Sequence, residues 1–488
     1  MHGRLIERRR QPGARPRPKT AGQARCRTGL RSRQSAGLVD DESPDFRQHL
    51  QSRTSLDQHA DTMDNGKVTI ATVRPAITSA PPGFFARDRV LARILLTGGT
   101  GLIGGAVLHN ALQSGASDAW VCLVRAPDDS TGRERLTSRL ARFTDRRTAR
   151  MLTDRVEVIT GDFTSADESN DPRLNAVTHV LHLAADTSWW GQDKVHRTNH
   201  DGTLSLARRA CRMPKLERFL HVSTAMICGS NSPRLVQEEM YPSSGAVHLV
   251  SYSESKAEAE ASLARQFPQL PIIVARPSVV VGHSVLGARP SASILWVFRA
   301  ADRLRLVSCD LDGSVDVVPS DWTAEILLGL LRKPNLAHRV YHVSAGMARR
   351  SRWKALARAF EQADPAGGER VYERLPVGDK RLLQARFEEE FGFGDAVQLA
   401  MFRAMQAYYR FCELNVTFSN ERLLAEGFRS SPSLPDYLFT CLRNCECPEI
   451  IDQFTDDMEM FVQDPGQGRR RSRRIAPSDE RAPMLLTA

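Results

Sequence analysis

Between residues 93 and 275 the chain alternates short apolar runs with longer, more polar stretches of helix length. The runs fall at 93–97, 119–124, 156–160, 179–183, 219–223 and 272–275. Each is largely apolar throughout rather than at every second position, the pattern of strands buried on both faces. Strands that alternate with helices predict an α/β fold built on a doubly wound parallel sheet, with helices on both sides. A seventh run at 340–344 lies beyond a long insert and is expected to return to the same sheet, making about seven strands.

From about residue 350 the periodicity turns helical. The stretch 395–411 places Val397, Met401, Met405, Tyr408 and Cys412 on one stripe, with Asp395 as a candidate N-cap. Two uses of that stripe stay open: packing against the main domain, or a lid that touches an acyl chain, since methionine and aromatic side chains adapt to flexible apolar ligands. The expected organisation is an N-terminal extension (1–88), a dinucleotide-binding domain (89–285), a smaller and mostly helical substrate region (286–460) that lends the strand 340–344 to the sheet, and a tail (461–488).

Composition narrows the class. With 488 residues, 41% hydrophobic and 25% charged, a collagen-like or wholly disordered chain is excluded, and the length suggests two or three units. The net charge of +10 sits at the ends: residues 1–37 hold eleven Lys and Arg against one acid, and residues 468–488 hold six against two. The part between is mildly acidic, so no specific nucleic-acid partner is expected. Runs such as Arg8-Arg9-Arg10 and Arg469-Arg470-Arg471 stand among Gly, Pro, Ser and Gln, with nothing to bury, and are expected to be disordered. The functional chain is expected to begin near Met63, with residues 1–62 dispensable. No stretch of about 18 apolar residues and no apolar signal core occur, which points to a cytoplasmic protein without a transmembrane segment. The nine cysteines are scattered, mostly in apolar segments, as reduced thiols would be. Cys441, Cys445 and Cys447 lack the paired spacing of a zinc site, so no metal is expected.

Three constellations carry chemistry. The first is the turn 97–104, directly after a predicted strand and before a helix. Glycines at 98, 101 and 104 permit a tight turn, close approach to a pyrophosphate and close helix–sheet packing. The second decides which dinucleotide binds. The second strand ends in Arg125 where a NAD-preferring fold has an acid, which favours NADP(H), with NAD(H) possible; the other reading of Arg125 is a solvated surface residue. Asp162, after the third strand, can accept from an adenine amino group or cap the next helix. The third is Tyr252 and Lys256, one helical turn apart, where a neighbouring ammonium is expected to draw the phenol down from its usual ~10. Val222, Ser223 and Thr224 end a strand 28 residues earlier, where a hydroxyl can face a bound carbonyl. His179, His182 and His221 are expected to be neutral core residues. Trp189 and Trp190 follow the fourth strand at its carboxyl end, where they either touch substrate or pack.

The motifs at 97–104, 123–125, 161–164, 182–186, 195–203, 221–229, 252–256 and 275–282, in that order, resemble the extended short-chain dehydrogenase/reductases over about residues 91–345. Residues 122–126, 221–225 and 275–278 are most similar to the branch of fatty acyl-CoA reductases and thioester reductase domains; 316–321 and 420–424 are similar more loosely. The resemblance implies a Rossmann sheet in which Thr224 orients and polarises the substrate carbonyl, Tyr252 donates the proton, and Lys256 holds the nicotinamide ribose and tunes Tyr252. Asn199 matches the family's N-x-x-G-T asparagine, with a structural or proton-relay role. The coenzyme site would comprise Gly98, Thr100, Gly101, Leu102, Ile103, Gly104, Arg125, Asp162, Phe163, Ala184, Ala185, Tyr252 and Lys256, with Pro277 and Ser278 beside the nicotinamide. Cys228 departs from the tyrosine usual there, and little chemical effect is expected.

The implied activity is NADPH-dependent reduction of an acyl thioester, CoA- or carrier-bound, to aldehyde or alcohol. With no adenylation or carrier domain read upstream, a diffusible thioester or a carrier protein acting in trans is expected as partner. A nucleotide-sugar epimerase or dehydratase, or a hydroxysteroid-type dehydrogenase, is the alternative that Arg125 disfavours. A non-catalytic NADP-binding sensor is the alternative that the Tyr252–Lys256 pair disfavours.

Overall fold

A computed structural model describes residues 91–462 apart from 116, 190–191, 239–242, 292, 365–368 and 377–378. The expectations for the N-terminal extension, Met63, both arginine runs, Trp190 and the tail beyond 462 lie outside the described residues.

Seven strands form one parallel sheet: β1 (Arg93–Thr97), β2 (Ala119–Val124), β3 (Val156–Thr160), β4 (His179–His182), β5 (Arg218–Val222), β6 (Ile272–Pro277) and β7 (Val340–Val343). Their order is β7-β6-β5-β4-β1-β2-β3, so the winding reverses between β1 and β4. In β1, Ile94 and Leu96 enter one buried cluster and Leu95 the other. Both faces are therefore core, and this is why the run is apolar at every position rather than alternating.

The helices that matter here are α1 (Leu102–Gln113), α2 (Asp129–Leu140), α3 (Gly202–Ala210), α4 (Ser251–Gln266), α5 (Leu295–Leu304), α6 (Ser320–Arg332), α7 (Trp353–Ala363), α8 (Lys380–Phe391), α9 (Ala396–Cys412), α10 (Leu434–Arg443) and α11 (Ile450–Val462). Leu108, Leu136 and Ile326 from α1, α2 and α6 cover one face of the sheet; Leu206 of α3 and Leu263 of α4 cover the other. Two elements beyond residue 285, α6 and β7, thus belong to the sheet layers. Asn110 Nδ2 of α1 donates to Asp321 O at 3.3 Å, and Arg332 pairs with Asp118 at 2.7 Å, which fixes α6 against the first βα unit.

The remaining C-terminal helices pack around Trp296, Phe387, Met401 and Met405, with a second cluster around Trp353, Leu356 and Leu438. Asp395 caps α9 as expected: its carboxylate accepts Gln398 N at 2.8 Å while Gln398 Oε1 accepts Asp395 N at 3.1 Å. The stripe starts one turn later than the periodicity implied. Met401 and Met405 are fully buried, but Val397, in the first turn, is 38% exposed, and Tyr409 is buried in its place. Short parallel pairs tie the region to the sheet, among them Val279–Val280 with Val317–Val318. No described helix is long and apolar enough to cross a membrane.

Candidate active site

A cleft of ≈ 2110 Å³ lies at the carboxyl ends of the strands, where the winding reverses. Its floor is the turn from β1 into α1. Gly98 has φ +76°, and a Cβ there would stand 2.7 Å from Ala184 N; a Cβ at Gly104 would stand 2.1 Å from Gly98 O. The first position needs glycine for its backbone angle, the second so that the helix can close onto the turn. Among the described residues no side chain caps α1, which leaves its first-turn N–H groups for an anion. Thr100, Gly101, Leu102, Ile103 and Gly104 all line the cleft. This cradle, open only because side chains are missing from it, fits the pyrophosphate of a dinucleotide.

Beyond the carboxyl ends of β2, β3 and β4, Arg125, Asp162, Phe163, Ala184 and Ala185 line the same cleft. Asp162 does what a cap does: Oδ1 accepts Thr164 N at 3.0 Å and Thr164 Oγ1 at 2.9 Å. Its Oδ2 stands 3.9 Å from the exposed Arg125 guanidinium. Arg135 donates to the carbonyl of Arg125, which brings a second guanidinium to the end of β2.

Thr224, Tyr252 and Lys256 meet in this cleft, with Pro277 and Ser278 on its wall. Thr224 Oγ1 accepts Met226 N at 3.3 Å, so its hydroxyl hydrogen stays available to a carbonyl. Lys256 Nζ donates to Val222 O at 2.7 Å. Burial pushes the Lys256 ammonium down to about 8, with Glu260 opposing. Burial also pushes the Tyr252 phenol up to about 12. The expectation that the ammonium draws the phenol down is not met: burial is the cause of the shift, and it acts in the opposite direction. A phenol held in its protonated form is nevertheless the form that a proton donor requires.

Asn199 is fully buried behind the cleft, in the π-turn Arg197–Asp201. Its Oδ1 accepts Asp186 N at 2.7 Å, and its Nδ2 donates to Asp186 O at 2.8 Å and Ser255 Oγ at 3.0 Å. It locks the loop after β4 to the residue preceding Lys256. His182 links Thr97 (2.7 Å) to Thr203 (2.9 Å). Thr203 Oγ1 donates to Asn199 O, so His182 carries its proton on Nε2. Burial pushes His182 and His221 well below the usual imidazole range, while His179, at the start of β4, is half-buried. Trp189 both lines the cleft and packs, its ring centroid 4.1 Å from Tyr408 and 5.3 Å from Phe411. Cys228 is half-buried and lines a smaller cavity of ≈ 220 Å³ behind the Thr224 turn.

Two further residues of the cleft stand out: Ser223, at the strand end where a hydroxyl is expected to face a carbonyl, and Asp316, in the stretch 316–321 to which sequence reasoning assigned no site role. Ser223 Oγ is buried without a hydrogen-bond partner among the described residues, and Asp316 Oδ2 has none beyond the interaction of its carboxyl with the Ser278 hydroxyl. Burial pushes the Asp316 carboxyl up to about 6. Its signal in the sequence is a lone acid inside the run 314–318. The eight described cysteines are unpaired. Ligand atoms of His196, His200 and Asp201 lie within 4.8 Å of one another, outside the cleft lining.

Residues 96–327 match an NAD-binding family described as male sterility protein. The chain is 28% identical over 269 residues to FrzA, a non-canonical nonribosomal peptide synthetase of Cladobotryum sp., a match covering 51% of this chain and 26% of that one. It is 26% identical over 309 residues to the aldehyde reductase lnaA of Aspergillus flavus, covering 58% and 28%. The chain thus matches about a quarter of the length of these relatives. The crystal structure of the terminal R domain from the myxalamid PKS-NRPS biosynthetic pathway is similar with a TM-score of 0.60 and 20% identity, covering 73% of this chain and 91% of that chain. At that identity the likeness is one of fold.

Proposed function

We propose, from the membership of residues 96–327 in the NAD-binding male sterility protein family, that this chain is an oxidoreductase reducing an acyl thioester, CoA- or carrier-bound, to aldehyde or alcohol with NADPH. The observation that carries this reading is the convergence of the Thr224 hydroxyl, the Tyr252 phenol and the Lys256 ammonium in one cleft with the glycine cradle. The residues from Gly98 to Gly104 would hold the pyrophosphate, and Arg125 with Arg135 the 2′-phosphate. When bound, the nicotinamide supplies hydride.

Thr224 and Tyr252 each donate a hydrogen bond to the carbonyl oxygen, and Tyr252 passes its proton to that oxygen as charge gathers there. Lys256, anchored on Val222 O, keeps a positive charge one turn along α4 to balance the phenolate that remains. Asn199 fixes the loop and helix that bear on these groups. The cleft exceeds the ~300–1,000 Å³ typical of a drug-sized site and continues past Val297, Phe298, Phe411 and Leu414, a wall suited to an acyl chain. The relatives named a peptide synthetase and an aldehyde reductase fit this substrate class. A reducing compartment suits the unpaired cysteines.

The test mixes the purified chain with NADPH and separate panels of acyl-CoAs, aldehydes and nucleotide sugars. NADPH consumption with acyl-CoAs, lost in Tyr252→Phe at unchanged NADPH affinity, is the expected result. Consumption with the sugars alone overturns the reading.

A further inference from the structure

On one wall of the cleft Ser223 Oγ has no hydrogen-bond partner among the described residues, and Ser278 Oγ and Asp316 Oδ2 have none beyond the interaction of the Ser278 hydroxyl with the Asp316 carboxyl. The residues are 4%, 7% and 3% exposed. They stand side by side on adjacent chain ends. Ser223 follows β5 and donates its N–H to Ala275 O at 2.8 Å; Ser278 follows β6 and donates its N–H to Val343 O at 3.1 Å. Asp316 immediately precedes Val317, which pairs with Val279, and its own carbonyl accepts Val279 N at 3.3 Å. Buried polar atoms are normally satisfied, so such a row marks where a polar part of a ligand is received. Thr224 and Tyr252 already serve the carbonyl oxygen. What a thioester brings beyond an aldehyde is its sulfur.

We propose that Asp316 is the acid that protonates the departing thiol, with the Ser278 hydroxyl positioning it. This rests on the thioester reading above. Hydride addition and protonation by Tyr252 leave a hemithioacetal. In its collapse the hydroxyl returns its proton to the Tyr252 phenolate and its oxygen forms the C=O bond. The C–S bond breaks, its electron pair stays on sulfur, and sulfur takes the Asp316 proton. The products are aldehyde and free thiol, and Asp316 regains a proton from water. A free thiol titrates near ~8.5, and a thiolate released inside a buried site is poorly solvated, so an acid at that place assists departure. Asp316 is built for both protonation states. Oδ1 accepts Ala345 N at 2.8 Å, while the Ser278 hydroxyl and the N–H groups of Gly346 and Phe418 favour the anion and burial favours the acid.

The test uses the full chain carrying Asp316→Asn, which keeps an oxygen for Ala345 N but has no acid to give. NADPH oxidation and thiol release, the latter read with a chromogenic disulfide, are followed in a single turnover of an acyl-CoA. NADPH affinity is measured separately by fluorescence. The expected result is unchanged NADPH affinity, hydride transfer within about threefold of wild type, and thiol release slowed about a hundredfold or more. Ser278→Ala, the second variant, is expected to slow thiol release less than Asp316→Asn does, and to slow thiol release more than it slows hydride transfer. Unaltered thiol release overturns the proposal, and so does a parallel loss of hydride transfer and NADPH affinity. If the wild-type chain oxidises NADPH with no thioester, the thioester reading itself fails. If it does so with thioesters and Asp316→Asn matches it, only the role of Asp316 fails.

Discussion

Lys256 donates to the carbonyl of Val222 at 2.7 Å, which binds the helix that carries Tyr252 to the last residue of β5, two residues before Thr224. On the function proposed above, one amine sets the spacing of the two groups that would grip the carbonyl, and burial pushes its titration down to about 8. The rate of reduction is expected to fall as pH rises through about 8. Tyr252, at about 12, adds no limb in that range. A pH–rate profile checks this, and a flat profile from pH 6.5 to 9.5 contradicts it.

The same burial has a consequence for stability. An unfolded lysine titrates near ~10.4, so between about 8 and that value the unfolded chain binds a proton that the folded chain has released. Lys256 therefore costs stability at neutral pH, by about 3 kcal/mol, and the cost is relieved as pH rises. Urea midpoints of wild type and Lys256→Met, compared at pH 7 and 9.5, should converge at the higher pH. The variant should be the more stable at pH 7 and devoid of turnover.

Arg125→Asp should shift coenzyme preference from NADPH toward NADH by about 1.5–3 kcal/mol, the worth of a hydrogen bond to a charged group. Dissociation constants for both coenzymes measure it. An unchanged ratio would transfer the reading of the 2′-phosphate to Arg135, whose guanidinium is held at the same strand end.

Gly98→Ala should lower stability by at least about 1–3 kcal/mol and weaken NADPH binding. The backbone angle of +76° disfavours any Cβ, and this one would press on Ala184 N at 2.7 Å. Thermal melts with and without NADPH separate the two effects. An alanine variant with wild-type affinity would show that the turn does not carry the pyrophosphate.

Local features were the legible ones. Six sheet strands of the first domain, the glycine turn and the Tyr252–Lys256 spacing each lie within a few residues, so periodicity and turn chemistry suffice to find them. What escaped depends on contacts between distant segments. Asp316 is inconspicuous until β6 and the strand after it bring it beside Ser278. The Arg276–Glu260 pair, 2.7 Å apart and fully buried, joins β6 to α4, and its partners are sixteen residues apart in sequence. The Tyr252 phenol stands higher than its spacing from Lys256 implies for the same reason, since spacing shows a neighbouring charge and not how much water the fold removes. The start of the α9 stripe was one turn off because the cluster around Met401 and Met405 ends before Val397.

The outermost strand, β7, enters the sheet from residue 340, past the point where the family match stops at 327. Val274 N of β6 is satisfied by Arg339 O at 2.7 Å, and Ser278 N by Val343 O at 3.1 Å. A fragment trimmed to the match would leave these amides bare along a strand rich in valine and isoleucine, a template for other chains to add to. Size-exclusion chromatography of residues 91–335 should show self-associated material, against a discrete species for residues 91–462. The end of the family match is thus not the end of the folding unit.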